Sequence, residues 1–75
     1  MGKLKRLSGQ KVIKTLQKMG FESIRQRGSH VVLKKTTIDG VVGCVVPLHK
    51  ELAIGTLSSI LRQAKLSNEV FMEHL

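Results

Sequence analysis

Apolar residues recur along this chain with two different periods, and the switches between them mark the elements. After Ser8, the residues Val12, Ile13, Leu16 and Met19 fall on one helical stripe, while Lys11, Lys14 and Lys18 lie off it. Ser8 is a good N-cap and Gly20 a usual C-terminal stop, so the pattern predicts a first helix over 9–19. Period-two alternation follows. Gly28-Ser29 separates a strand at 21–27 from one at 30–35, and Asp39-Gly40 precedes a third at 41–47. Both dipeptides are two-residue hairpin signals. Pro47 has no amide proton to donate, so the third strand reads as an edge that ends there. Leu57, Ile60, Leu61 and Ala64 then share one face of a second helix that follows Gly55-Thr56. Ser67 caps a short terminal turn at 68–75, with Glu69 near its start and Phe71 and Leu75 placed to dock.

The order α-β-β-β-α with a short C-terminal helix predicts an α+β fold, a three-stranded antiparallel meander with helices on one face. Counting across a two-residue turn at Gly28-Ser29 sets Arg27 opposite His30, Arg25 opposite Val32 and Ser23 opposite Lys34. The other face then pairs Gln26 with Val31 and Ile24 with Leu33. The same count across Asp39-Gly40 sets Leu33 opposite Val46, Val31 opposite Leu48, Cys44 opposite Lys35 and His30 opposite His49. Both counts agree on which face is apolar. The opposite face carries Arg25, Arg27, His30 and Lys34.

Length and charge narrow the class. A chain of 75 residues is expected to form one domain over 1–75. Its core is marginal by size, but 41% hydrophobic residues argue against disorder. Thirteen Lys and Arg against five Asp and Glu give a formal charge of +8, which calls for a polyanionic partner. With no Trp or Tyr and two Phe, the chain lacks both the amphipathic anchor of a membrane binder and the rings of a base-stacking module. A reader of the nucleic-acid backbone remains. The single Cys44 cannot make an internal disulfide, and the basic start at 1–6 is not followed by an apolar run. No run is long enough to span a bilayer, so a cytoplasmic protein without a signal peptide is expected.

His30 is the candidate for chemistry. RNA is cut without metal when a base removes the 2′-OH proton and that oxygen attacks the adjacent phosphorus. Imidazole suits such a transfer near neutral pH. Arg25, Arg27 and Lys34 would stabilise charge growing on the phosphate oxygens, and the amides of Gly28 and Ser29 can approach a phosphate. Either His49 protonates the leaving 5′-oxygen, or a basic side chain stabilises it while water donates the proton. The plainer alternative makes the histidines surface residues and the lysines a solubilising coat. His30, Cys44, His49 and His74 show no metal-ligand spacing, so neither metal nor cofactor is expected. Cys44 reads as a small buried filler.

Arg27-Gly28-Ser29-His30 before an apolar strand, Val45-Val46-Pro47-Leu48-His49, and Gly55-Thr56-Leu57 leading to Ile60-Leu61 together resemble the HicA toxins. Ser8-Gly-Gln-Lys-Val-Ile and Met19-Gly20-Phe21 add to the resemblance, which spans essentially the whole chain. These are small messenger-RNA-cutting proteins of bacterial toxin–antitoxin pairs. The resemblance implies a fold like the double-stranded-RNA-binding domain, with His30 as the catalytic residue. It also implies a HicB-like antitoxin that covers the active site and itself supplies any operator-DNA binding, so that this chain contacts RNA and not DNA. The competing expectation, a non-catalytic module of double-stranded-RNA type, calls for a lysine cluster opening the last long helix, where Gly55 to Ser59 has none. An acidic partner surface is expected over His30, since opposite potentials speed capture. RNA affinity should fall steeply between low and moderate salt as phosphate contacts release counterions. A filter-binding series with a flat salt response would remove the backbone-contact argument.

Overall fold

The computed structural model describes residues 4–75, so the basic start at 1–6 lies partly outside the described residues. In chain order the elements are α1 Gly9–Lys18, β1 Glu22–Arg27, β2 His30–Thr37, β3 Gly40–Pro47, α2 Ile54–Gln63 and α3 Asn68–Glu73. The three strands form one antiparallel meander in the order β1-β2-β3, which is the α+β arrangement the periodicity predicts. Val12 and Leu16 of α1, Leu57, Ile60 and Leu61 of α2, and Phe71 of α3 are buried together with Val31, Leu33, Cys44 and Val46 of the sheet. Thr15 is buried among them, and its hydroxyl donates to the Lys11 carbonyl at 2.8 Å, so no polar atom is stranded.

Local chemistry explains the helix ends. The Ser8 hydroxyl accepts from the Lys11 amide, satisfying one of the orphan donors of α1. At the other end the Gly20 amide donates to Gln17 and the Phe21 amide to Leu16, with Gly20 at φ +100. That is a Schellman close, and it needs a residue tolerant of positive φ. The close of α2 is the same, Lys65 to Arg62 and Leu66 to Leu61, but a lysine sits at φ +57. The expected start of α2 after Gly55-Thr56 is corrected: the helix opens at Ile54, with Ala53 as an N-cap that makes no side-chain bond. Leu52 explains this. It is buried, and its amide donates to the Leu7 carbonyl at 2.7 Å, so the chain is anchored there and turns directly into helix.

Two strand registers differ from the count. Arg27↔His30, Gln26↔Val31 and Arg25↔Val32 hold, but a bulge at Ile24 then sets Ser23 opposite Leu33 and Glu22 opposite Lys34. Ile24 is half-exposed as a result instead of facing Leu33 in the core. On the other side the ladder joins Thr37 to Gly40, Leu33 to Cys44, Val31 to Val46 and His30 to Pro47. The pairings of Leu33 with Val46, Val31 with Leu48, Cys44 with Lys35 and His30 with His49 are therefore overturned. The loop is Ile38-Asp39, not Asp39-Gly40. A I′ turn at Asp39-Gly40 would need positive φ at both. Only Gly40 has it, at φ +128, while the Thr37 hydroxyl takes the Asp39 amide and donates to the Gly40 carbonyl. Gly40 thus follows the turn as the first paired residue of β3, opposite Thr37. Moving the loop by one position shifts the register by two, which preserves the faces: Val31, Leu33, Cys44 and Val46 still point inward.

β3 is an edge, as Pro47 predicts, and its outward Val45 amide donates to Gln63 Oε1 of α2 at 3.2 Å. Beyond Pro47 the chain stays tied. Leu48 donates to the Ser29 carbonyl at 2.6 Å, and Gly9 donates to the His49 carbonyl at 2.9 Å. A Cβ on Gly9 would collide with the Pro47 carbonyl oxygen and lie 3.1 Å from the Leu48 Cα. Gly9→Ala should therefore lower stability by about 1–3 kcal/mol, as overpacking against fixed backbone does. Lys65→Gly should raise it by about 0.5–1 kcal/mol by relieving the left-handed conformation. Urea denaturation midpoints at constant slope check both signs.

Candidate nucleic-acid interface

The β1–β2 turn begins the site. Gly28 has φ +56 and Ser29 does not share a positive φ, the pattern of a II′ hairpin with glycine first. A Cβ at Gly28 would meet nothing within 4 Å, so conformation and not room requires the glycine. The Gln26 side-chain amide donates to the Gly28 carbonyl at 3.0 Å, and the Ser29 carbonyl takes the Leu48 amide. His30 opens β2 directly after this braced turn and is exposed.

Strand alternation then sorts the predicted residues. Arg27 is paired with His30 and Arg25 with Val32, and Lys34 is two positions further along the same face of β2. Arg25, Arg27, His30 and Lys34 are all exposed on the sheet face away from the helices. The structure thus brings these four together, with Gly28 and Ser29 at their end. Lys34 lies against the bare backbone of β3, where its Cγ is 3.3 Å from the place a Cβ on Gly43 would occupy. None of Arg25, Arg27 and Lys34 is in ion-pair contact with a carboxylate of the described residues. Arg6 does pair with Glu51 at 3.3 Å, in solvent.

His49 is not the cross-strand neighbour of His30, whose partner is Pro47. His49 lies two residues past the end of the ladder, and its carbonyl accepts from the Gly9 amide at the start of α1. Its exposed side chain borders a shallow hollow with Ser8, Gln10 and Lys50. His74 is engaged elsewhere: its Nδ1 lies 2.8 Å from the Val70 carbonyl at the close of α3. Cys44 is buried on the core face, and desolvation pushes its thiol up from 9.0 to about 11, so it stays protonated near neutrality. Among the described residues, no three His, Cys, Asp or Glu gather as metal ligands, and no helix is long and apolar enough to cross a membrane.

Sequence reasoning missed two features here. Glu22, not Ser23, stands opposite Lys34, which puts an acid at the far end of the basic face. A cleft also opens between α1 and β1, near Gln10, Ile13 and Gln26. The break in alternation around Ile24, an apolar residue between Ser23 and Arg25, is the one local trace of the bulge that causes the first.

A helix, an antiparallel three-stranded meander and a second helix, with the middle strand opening on an exposed histidine among cations, define an α+β protein of the double-stranded-RNA-binding-domain type. Residues 9–66 match the family described as HicA toxin of bacterial toxin-antitoxin, and the chain belongs to that family. Its role is accordingly that of the toxin in such a pair. A search of curated proteins found no significant match. The match ends at Leu66, so α3 lies beyond it.

Proposed function

We propose that this toxin is a metal-independent endoribonuclease acting on messenger RNA, with His30 as its general acid or base. The carrying observation is the exposed imidazole at the start of β2, beside a glycine turn and on the same face as Arg25, Arg27 and Lys34. His30 takes the proton of a ribose 2′-OH, and the 2′-oxygen attacks the adjacent phosphorus. The bond from phosphorus to the 5′-oxygen breaks, leaving a cyclic phosphate, and the departing oxygen gains a proton from His49 or from water. Arg25, Arg27, Lys34 and the amides of Gly28 and Ser29 meet the charge that grows on the phosphate oxygens. The first turn of α2, Ile54 to Thr56, carries no basic residue, which disfavours the purely RNA-binding alternative. The natural partner is a HicB-like antitoxin offering an acidic surface to this face in the cytoplasm.

Labelled RNA incubated with purified protein in EDTA should be shortened. His30→Ala should slow that cleavage by at least about a hundredfold, the usual loss of a general acid or base. Because His30 is exposed, its thermal midpoint should stay near that of the unaltered chain. An intact but shifted RNA band, or undiminished cutting by the variant, would refute the nuclease.

A further inference from the structure

The inner face of β1 is incompletely roofed. Gln26 points to the core side of the sheet, opposite Val31, and yet it is exposed. The gap is an open cleft of about 470 Å³ between α1 and β1, roomy enough for one flat organic ring. Ile13, Val31 and Leu48 give it an apolar floor, while Gln10, Gln26 and Arg25 stand around it.

We propose that this cleft receives one nucleobase of the RNA whose phosphate lies at the His30 turn, and so sets a base preference beside the cut. The inference rests on the RNA reading of the basic face. Three observations carry it. First, the cleft adjoins the turn: Val31 follows His30 in β2, and Leu48 is bonded to Ser29. Second, Arg25 borders both this cleft and a shallow depression with Val32 and Lys34 on the open face, so one basic residue lies between the backbone-binding face and the cleft. Third, no Phe, Tyr or Trp ring is available to stack a base, because Phe21 and Phe71 are buried and the chain has no Trp or Tyr. Bases also stack on arginine planes, and Arg25 is the one arginine at this cleft.

The chemistry of the lining selects the occupant. Each glutamine amide offers both donors and an acceptor, as the edge of a base does. Gln26 spends one N–H on the Gly28 carbonyl and keeps its oxygen and second N–H. Gln10 is exposed on the first turn of α1, with its whole amide available. Neutral amides over an apolar floor suit a flat, uncharged heterocycle better than a carboxylate or a bare phosphate.

The test has two arms. In the first, an uncleavable 2′-O-methyl oligoribonucleotide is titrated into isotope-labelled protein and followed by NMR. The side-chain amides of Gln10 and Gln26 should shift, together with the backbone amides of Gly28 to His30. An oligomer of the same length with abasic sites should shift only the turn. In the second arm, cleavage positions in a randomised RNA pool are sequenced for the unaltered protein, for Gln10→Ala, and for Gln10→Ala with Gln26→Ala. The base bias next to the cut should fall about tenfold in the double variant. Base-dependent shifts at the glutamines without any cleavage would support the cleft while sinking the nuclease. Cleavage that needs His30 but shows equal shifts with the abasic oligomer, or an unchanged bias in both variants, would overturn the cleft and leave the nuclease standing. Glutamine shifts produced by an acidic peptide and not by the oligoribonucleotide would assign the cleft to a protein partner and likewise overturn it.

Discussion

The helix layer and the sheet meet at one point where backbone touches backbone. The Gly9 amide donates to the His49 carbonyl at 2.9 Å, in a space the Pro47 carbonyl leaves too narrow for any side chain. Around it, Leu48 is bonded to Ser29 and Leu52 to Leu7. Three hydrogen bonds within five residues thus tie the segment after β3, which is also the approach to α2, to the start of α1, to the β1–β2 turn and to Leu7 just ahead of α1. Each closes a long stretch of chain, which in a protein this small must be offset by buried apolar contacts on either side. The turn that carries His30 is held from behind by this junction.

Where the controlling interaction is short-range, it was legible in the sequence. Ser8 and Gly20 bound α1 through bonds within one helical turn, and Ser67 caps α3 at the Val70 amide in the same way. The Gly28-Ser29 turn needs only its own glycine, so the pairing of Arg27 with His30 and the composition of the basic face followed from counting. Asp39-Gly40 was misleading because one dipeptide serves two hairpin types. The two-residue register error left the faces intact, so the buried strand residues were correct while their opposite partners were not.

What escaped depends on contacts distant in the chain. Nothing near Ala53 announces a helix start, since Leu7 does the anchoring. Ile24 looks like a core position by alternation, and only the paired strands reveal that it is extruded. The placement of His49 past the ladder and against the start of α1, instead of opposite His30, follows from the register and not from the residue itself. The cleft is invisible to any periodicity, because it is a place where α1 does not cover β1.

A sheet of three strands has two open borders, and each could recruit another chain into a growing fibre. Here both borders are spoiled by different means. Along β3, Gln63 reaches over and takes the outward amide of Val45. Along β1, the extra residue at Ile24 breaks the regular spacing that an incoming strand would have to match. Arg25 and Arg27 add like charge against a second copy of the same strand. Neither border therefore offers the regular, unpaired row of amides and carbonyls that strand addition needs.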